Sequence, residues 1–188
     1  MKSIYTEVAI FENGDFMLRK ITKDDAEDLL KVYSDKKSLP FFNSDNCHGD
    51  NFFYDTLKKI NKALDFWEFS YEKKYFVRWS IVEKKSNKTV GTIELFHRDS
   101  EDYFSNCGIL RLDLRSDYEN AYSIISILNL IVPYTFEIFG CDKIATKGIE
   151  PALERRKALS EMGFCASDEV VKGNDGVSEY NSYFVKLE

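Results

Sequence analysis

The chain has 188 residues, with 26 Lys plus Arg against 32 Asp plus Glu and a formal net charge of −6. That length suits a single domain over residues 1–188, and 44% hydrophobic with 15% aromatic content can bury a full core, which excludes a disordered chain. The acidic balance argues against nucleic-acid binding, because a phosphate backbone is gripped by clustered Lys and Arg.

Two strands are expected first, over residues 4–11 and 16–21. They are joined by Glu12-Asn13-Gly14-Asp15, where Asn-Gly tolerates the positive φ angles of a tight hairpin. Thr22 and Asp25 then stand in capping-box spacing, with Asp replacing the usual Glu or Gln. Ala26, Leu29, Leu30 and Tyr33 follow at helical intervals. Leu39-Pro40 ends this segment, since a residue before proline avoids the helical region. A second helix is predicted over 50–69, with Phe53, Leu57, Ile60, Leu64 and Trp67 as its apolar stripe.

Strands are predicted over 75–83, 89–96 and 107–114, the last two separated by a polar loop holding Asp99, Glu101 and Asp102. Residues 116–140 read as a long helix that Pro133 kinks or divides. Its apolar part, 121–139, is interrupted by Ser123, Ser126, Asn129, Pro133 and Glu137, so it reads as a core helix and not a membrane span. A strand over 143–149 and a helix over 151–162, closed by Gly163, come next. Two last strands, 164–171 and 178–186, flank the turn Gly173-Asn174-Asp175-Gly176. The order β-β-α-α-β-β-β-α-β-α-β-β is α+β, with a mixed sheet covered by helices.

Cys47, Cys107, Cys141 and Cys165 are far apart, without a CxxC pair, and only His48 and His97 could join them, so no metal site is expected. The opening MKSIYTEVAIF carries charge early and does not read as a secretion signal. The thiols are expected to be reduced and buried in a cytoplasmic protein.

Four passages in this order resemble the GNAT superfamily of acyl-CoA-dependent N-acyltransferases, and most closely its ribosomal-protein N-terminal acetyltransferase branch. They are Phe16-Met17-Leu18-Arg19-Lys20-Ile21-Thr22-Lys23-Asp24-Asp25-Ala26, Thr89-Val90-Gly91-Thr92-Ile93-Glu94-Leu95, Leu112-Asp113-Leu114-Arg115-Ser116-Asp117-Tyr118, and Lys157-Ala158-Leu159-Ser160-Glu161-Met162-Gly163-Phe164. The resemblance implies a twisted, mostly antiparallel sheet whose strands 107–114 and 143–149 splay into a V. It also implies acetyl-CoA as co-substrate and an amine acceptor attacking the thioester directly. Leu112, Leu114 and Arg115 would hold the pantetheine arm. Tyr118, Glu119, Asn120, Ala121 and Tyr122 would surround the diphosphate at the start of the next helix, where unpaired amides and the dipole favour an anion.

The family usually writes that helix start as Gln/Arg-x-x-Gly-x-Gly/Ala. Here Glu119, Tyr122 and Ile124 stand at those positions, and Ser116 with Glu119 reads as a capping box. Asp117 and Glu119 place two negative charges where the diphosphate would sit. In the last helix, Ala152 and Leu159 replace the family's frequent Asn and Tyr. A fold that has lost CoA binding and serves as a binding or assembly module is therefore the alternative.

Glu94 and Asp113 are the candidate general bases. Glu94 reads equally as half of a salt bridge, and Asp113 as an ion-pair partner of Arg111, two residues away on the same face. His97 is a further candidate base or a solvent-facing histidine. The acidic loop 99–102 would attract a cationic amine, or is simply solvated. Arg155-Arg156-Lys157 would reach the nucleotide phosphate, or form a solvated face. Aromatic residues between Leu39 and Tyr75 read mainly as core. Any that prove exposed would mark a lid or a homodimer contact.

Overall fold

The computed structural model describes residues 4–188. β1 (Phe11–Glu12) and β2 (Phe16–Lys20) form the first hairpin, with Phe11 opposite Leu18. Of the strand expected over residues 4–11 only Phe11 is in β1, which continues to Glu12. The turn does not use positive φ at Asn13 or Gly14. Instead Asn13 Oδ1 accepts the Asp15 and Phe16 amides, each at 2.9 Å, so a side chain supplies the turn's hydrogen bonds.

A 3₁₀ turn (Lys23–Asp25) leads into α1 (Ala26–Tyr33). Asp25 accepts the Thr22 amide at 3.0 Å, as the capping-box spacing indicated. α2 (Leu57–Glu72) starts later than expected, because Thr56 is its N-cap and accepts the Lys59 amide. Phe53 therefore lies outside the helix, while Ile60, Leu64 and Trp67 are buried on its inner stripe.

β3 (Val77–Glu83), β4 (Lys88–Arg98) and β5 (Cys107–Leu114) form an antiparallel meander. The predicted long helix is three pieces: a 3₁₀ turn (Ser116–Tyr118), α3 (Ala121–Leu128) and α4 (Val132–Phe139), with Pro133 in the first turn of α4. The stretch Ala121–Phe139 has a mean hydropathy of 1.5, enough for a membrane helix by composition. Each eight-residue piece, however, rises only about 12 Å, against about 30 Å of hydrocarbon. Ala121, Ile124, Ile127, Leu128 and Val132 are buried in the core instead, while Tyr122 and Tyr134 are exposed.

β6 (Lys143–Lys147), α5 (Leu153–Glu161), β7 (Cys165–Ala166), a small hairpin of β8 (Val171–Lys172) with β9 (Glu179–Tyr180), and β10 (Tyr183–Leu187) complete the chain. The eight-stranded sheet runs β1-β2-β3-β4-β5-β6-β10-β7, and among the described residues only β5 and β6 are parallel neighbours.

The two sheet faces differ in chemistry. Leu18, Trp79, Ile81, Ile93, Leu95, Leu110, Leu112 and Leu114 share one face and pack against Ile124, Ile127 and Leu128 of α3 and Leu159 of α5. Each fully buried side chain of this size contributes about 1.5–3 kcal/mol. The opposite face, covered by α1 and α2, carries Arg78, Ser80, Thr92, Glu94, Arg111 and Asp113. Period-2 alternation places these polar residues together, and only mutual pairing makes their burial tolerable. Gly91 is needed where β4 meets β5: a Cβ there would lie 2.3 Å from the Asp113 carbonyl oxygen.

Among the described residues no cysteine is paired. Cys107 and Cys141 are buried, but Cys47 is half-buried and Cys165 exposed, so the expectation of four buried thiols fails at those two. Among the described residues no cluster of His, Cys, Asp and Glu could hold a metal.

Candidate active site

The parallel pair supplies the site. β5 and β6 are in register from Cys107 opposite Lys143 to Leu110 opposite Thr146, and pairing stops there. From Arg111 to Leu114, β5 therefore has no strand beside that edge. The first two residues past the branch, Arg111 and Lys147, both reach Asp45. Arg111 Nη2 donates to the Asp45 carbonyl oxygen at 2.7 Å, and Lys147 Nζ donates to both carboxylate oxygens at 2.7 and 2.6 Å. Tyr183 Oη donates to the same carboxylate at 2.9 Å. The segment before α2 is thus anchored across the apex of the V.

Glu94 is buried on β4 between two cations. Its Oε2 accepts from Arg78 Nε at 3.1 Å and from Arg78 Nη2, and its Oε1 accepts from Arg111 Nη1 at 2.7 Å. Burial pushes its carboxyl up, but the two guanidiniums outweigh that and hold it below the usual range. Arg111 pairs with Glu94 and not with Asp113, contrary to the ion pair expected from the sequence. Asp113 Oδ2 instead accepts from Tyr33 Oη at 2.9 Å and lies 3.3 Å from Arg78 Nη1. Its Oδ1 is buried without a hydrogen-bond partner. Burial raises the Asp113 carboxyl, with Arg78 opposing. The two sequence-derived candidates therefore differ: one is clamped and ionised, the other has a free oxygen and a raised pKa.

A cleft of about 740 Å³ opens on this row of charges. Glu94 and Arg111 lie on its floor, and Trp67, Phe76 and the exposed Phe66 and Tyr75 form an aromatic wall. The loop 99–102 forms part of the rim. Asp102 is not available to a ligand, since it accepts from Arg98 and from the Phe104 and Lys172 amides and is held well below the carboxylate range. Asp99 is exposed, 3.6 Å from His97 Nδ1, while His97 Nε2 is 2.9 Å from Asn106 Oδ1.

The other side of the V is built by the connection from β5 to α3. Leu112 and Leu114 point into the core, so only their backbone could serve a ligand. The Arg115 amide donates to the Val90 carbonyl at 3.0 Å, and its guanidinium pairs with Asp117. Tyr118 packs edge-on against Phe16, and burial with a bond to Glu83 raises its hydroxyl to about 12. The expected Ser116–Glu119 capping box is absent, because the 3₁₀ turn separates them from α3. Asn120 caps α3 by accepting the Ser123 amide at 3.0 Å. Tyr122 is exposed and donates to Asp15 at 2.8 Å.

Glu119 goes elsewhere. Its two oxygens accept from Arg155 Nε and Nη2 at 2.6 and 2.8 Å, and Arg155 Nη1 donates to the Phe41 carbonyl at 2.9 Å. Arg155 is 2% exposed, which corrects the solvated-face reading for that residue. Arg156 Nη1 donates to the Gly148 carbonyl, leaving Lys157 as the exposed member. Beside this pair, Glu154 Oε2 accepts the Ala121 amide at 3.0 Å, and Asp35 Oδ2 accepts the Ser116 amide at 2.9 Å.

Amides that an incoming diphosphate would need are therefore engaged by the chain's own oxygens, and the set does not fit that group as arranged. Nothing in the local sequence pointed to Glu154, Asp35 or Asp45, whose partners lie 33, 81 and up to 138 residues away. Arg78 did carry a signal: a charged residue between Val77 and Trp79 in a strand of buried parity requires a buried partner.

No curated protein matches the sequence. Solved structures match in fold. A ribosomal-protein-S5-alanine acetyltransferase from Vibrio fischeri is 17% identical with a TM-score of 0.68, covering 95% of this chain and 96% of that one. A GNAT-family acetyltransferase from Bacillus anthracis is 12% identical with a TM-score of 0.69, covering 95% and 98%. Mycobacterium smegmatis RimJ, in complex with CoA-disulfide, is 12% identical with a TM-score of 0.67, covering 90% and 79%. The family model described as "Acetyltransferase (GNAT) domain" matches residues 15–164, most of the chain, from β2 to the turn after α5. The chain belongs to this GNAT acetyltransferase family and, as a member, is an N-acetyltransferase.

Proposed function

We propose that the chain transfers an acetyl group from acetyl-CoA to the amine of a cationic acceptor with an apolar flank, a small molecule or a peptide, in the cytoplasm. The observation that carries this is the cleft on the Glu94–Arg111 row, which combines an aromatic wall with the carboxylates Asp50, Asp99 and Glu101. Such a rim raises the local concentration of a cation, and rings cover its carbon skeleton. Relatives in fold that are named for acting on a ribosomal protein make a peptide amine a reasonable acceptor.

Acetyl-CoA supplies an acetyl group activated as a thioester. In the transfer the carbon–sulfur bond breaks, a carbon–nitrogen bond forms, and the coenzyme leaves as a thiol. The amine's proton needs a base, and Asp113 has an unpaired oxygen for it, but it is fully buried and does not line the cleft, so the proton reaches it through a water. Glu94 fixes Arg78 and Arg111 instead, as both its oxygens are engaged.

The test is amine-dependent release of free thiol from acetyl-CoA. Arylalkyl amines and peptides with apolar first residues are expected to turn over faster than acceptors bearing a free carboxylate. Asp113→Asn is expected to cut turnover by about 10²–10⁴-fold, the usual worth of a general base. No thiol release with any amine class would overturn the proposal.

A further inference from the structure

We propose that the outer face of α2 is a docking strip for the chain that carries the acceptor amine, and that this chain is a polypeptide with acidic side chains behind an apolar amino end. The proposal rests on the acetyl-transfer reading and names the class of its acceptor.

The strip is set by helical spacing. Lys58, Lys62, Phe66, Phe69 and Lys73 follow one another at intervals of four, four, three and four residues, which stacks them along one exposed face of α2. Ile60, Leu64 and Trp67 hold the other side of the helix in the core. The acids of the helix do little to neutralise the strip. Asp65 pairs with Lys23 and Glu68 with Lys20, and Asp55, ahead of the helix, pairs with Lys59. Among the described residues Lys58, Lys62 and Lys73 have no carboxylate partner, and Lys73 lies over the Phe69 ring, 5.7 Å from its centroid. A chain of net charge −6 thus carries a local row of free ammonium groups, with Glu72 as the one acid of α2 left beside them among the described residues.

The strip runs into the cleft. Phe66 and Tyr75 belong to the cleft wall and are 56% and 61% exposed. Phe66 meets Phe76 with ring centroids 6.3 Å apart, and Tyr75 meets Phe69 edge-on at 6.4 Å. Phe69 lies outside the cleft and is 47% exposed. Three large rings in one exposed patch, unlike apolar residues scattered singly, mark a binding face.

Charge sets the occupant and its direction. The cleft rim carries Asp50, Asp99 and Glu101, which suit an ammonium group, whereas the strip carries lysines, which suit carboxylates. A small amine fills the cleft and does not reach the outer face of α2. A carboxylate at the amine end of an acceptor meets the acidic rim, but one further along the chain meets the lysines. Lys62 lies about 6 Å and Lys58 about 12 Å along the helix axis from Phe66, distances that an extended chain covers in about two to four residues. A single-stranded nucleic acid would also stack on rings beside lysines, but the acidic rim at the end of the same path repels its phosphates.

The test uses the full chain and two variants outside the cleft, Lys58→Glu/Lys62→Glu/Lys73→Glu and Phe69→Ala. The acceptors are a peptide with an apolar first residue and a run of Asp and Glu behind it, the same peptide with Lys in place of that run, and a small arylalkyl amine. The wild type is expected to acetylate the acidic peptide with a KM about tenfold below that of the Lys peptide. The triple variant is expected to reverse that order, with kcat little changed and the small amine unaffected. Phe69→Ala is expected to raise the KM of the peptides alone. Fluorescence anisotropy of the labelled acidic peptide, read without coenzyme, makes the same comparison independently of turnover. Equal KM and equal binding of the two peptides by the wild type would overturn the strip, as would a loss in the triple variant that the small amine shares. Tighter binding of an oligo-uridylate than of the acidic peptide, or a dimer in sedimentation that Phe69→Ala dissolves, would give the strip to nucleic acid or to a second copy and also overturn the proposal. Peptide binding that follows the lysines, without thiol release from acetyl-CoA, would keep the strip and overturn the acetyl-transfer reading.

Discussion

Replacing Glu94 by Gln keeps the side chain's shape and removes its charge from between two guanidiniums. Glu94 and Arg78 are buried and the Arg111 side chain is only 10% exposed, so water screens the change little. Removing one partner from a buried ion pair costs about 3–5 kcal/mol, chiefly because the remaining charge is left uncompensated. Two guanidiniums are affected here, but Asp113 stays 3.3 Å from Arg78 and keeps the loss within that range. In a domain of this length each kcal/mol lowers Tm by about 2–4 °C, so Glu94→Gln is expected to melt roughly 6–20 °C below the wild type. Circular-dichroism melting at neutral pH, with urea midpoints as a second measure, reads the effect. Glu12→Gln is the control: its partner Lys84 is exposed, and such pairs contribute about 0–1 kcal/mol. A fall for Glu94→Gln no larger than the control's would refute the tightly coupled network.

Gly91→Ala is expected to destabilise by about 1–3 kcal/mol or more, because the new methyl meets backbone oxygen and cannot be accommodated by a rotamer change; an unchanged urea midpoint would count against the close approach of β4 and β5. Asn13→Ala removes the acceptor for two turn amides and the donor to the Ser126 carbonyl at 3.0 Å, and is expected to cost about 1–2 kcal/mol, measured the same way. Stability should also fall in acid with a definite sign. Burial pushes the Asp25 carboxyl up, but Arg19, Thr89, the Thr22 amide and Ser80 together hold it below its ordinary 3.8. The stability it contributes is full above 3.8 and is lost as pH falls through the lower folded value. Asp25→Asn should therefore melt lower at neutral pH and show a shallower acid decline, and a decline as steep as the wild type's would contradict this. Asp113 has the opposite sign, since its folded pKa is raised: ionising it costs stability as pH rises from 3.8 through the folded value, and Asp113→Asn should flatten that part of the profile.

The fold was largely legible because it is written in local periodicity. β5 falls on its predicted residues, and β4 and α5 lie within two residues of expectation. Boundaries were missed where a side chain outranked the pattern. Thr56 delays α2 past an aromatic run that mimics a helix face, and the turn at Asn129–Ile131 cuts an apolar stretch that reads as continuous. The site was less legible. Glu94 and Asp113 were identifiable as carboxylates on the inner face of strands, but their partners come from other strands and from α1. Arg111 turned to Glu94 because those two residues are cross-strand neighbours, whereas Asp113 is two residues along the same strand. The buried Glu119–Arg155 pair was invisible for the same reason: Arg155 read with Arg156 and Lys157 as a phosphate contact or a solvated face until α5 is packed beside Glu119.

A crystal structure of the full chain grown with millimolar CoA tests the donor site most directly. The expected result is pantetheine along the unpaired edge of β5 from Arg111 to Leu114. Crystals that show CoA bound elsewhere or not at all would contradict it.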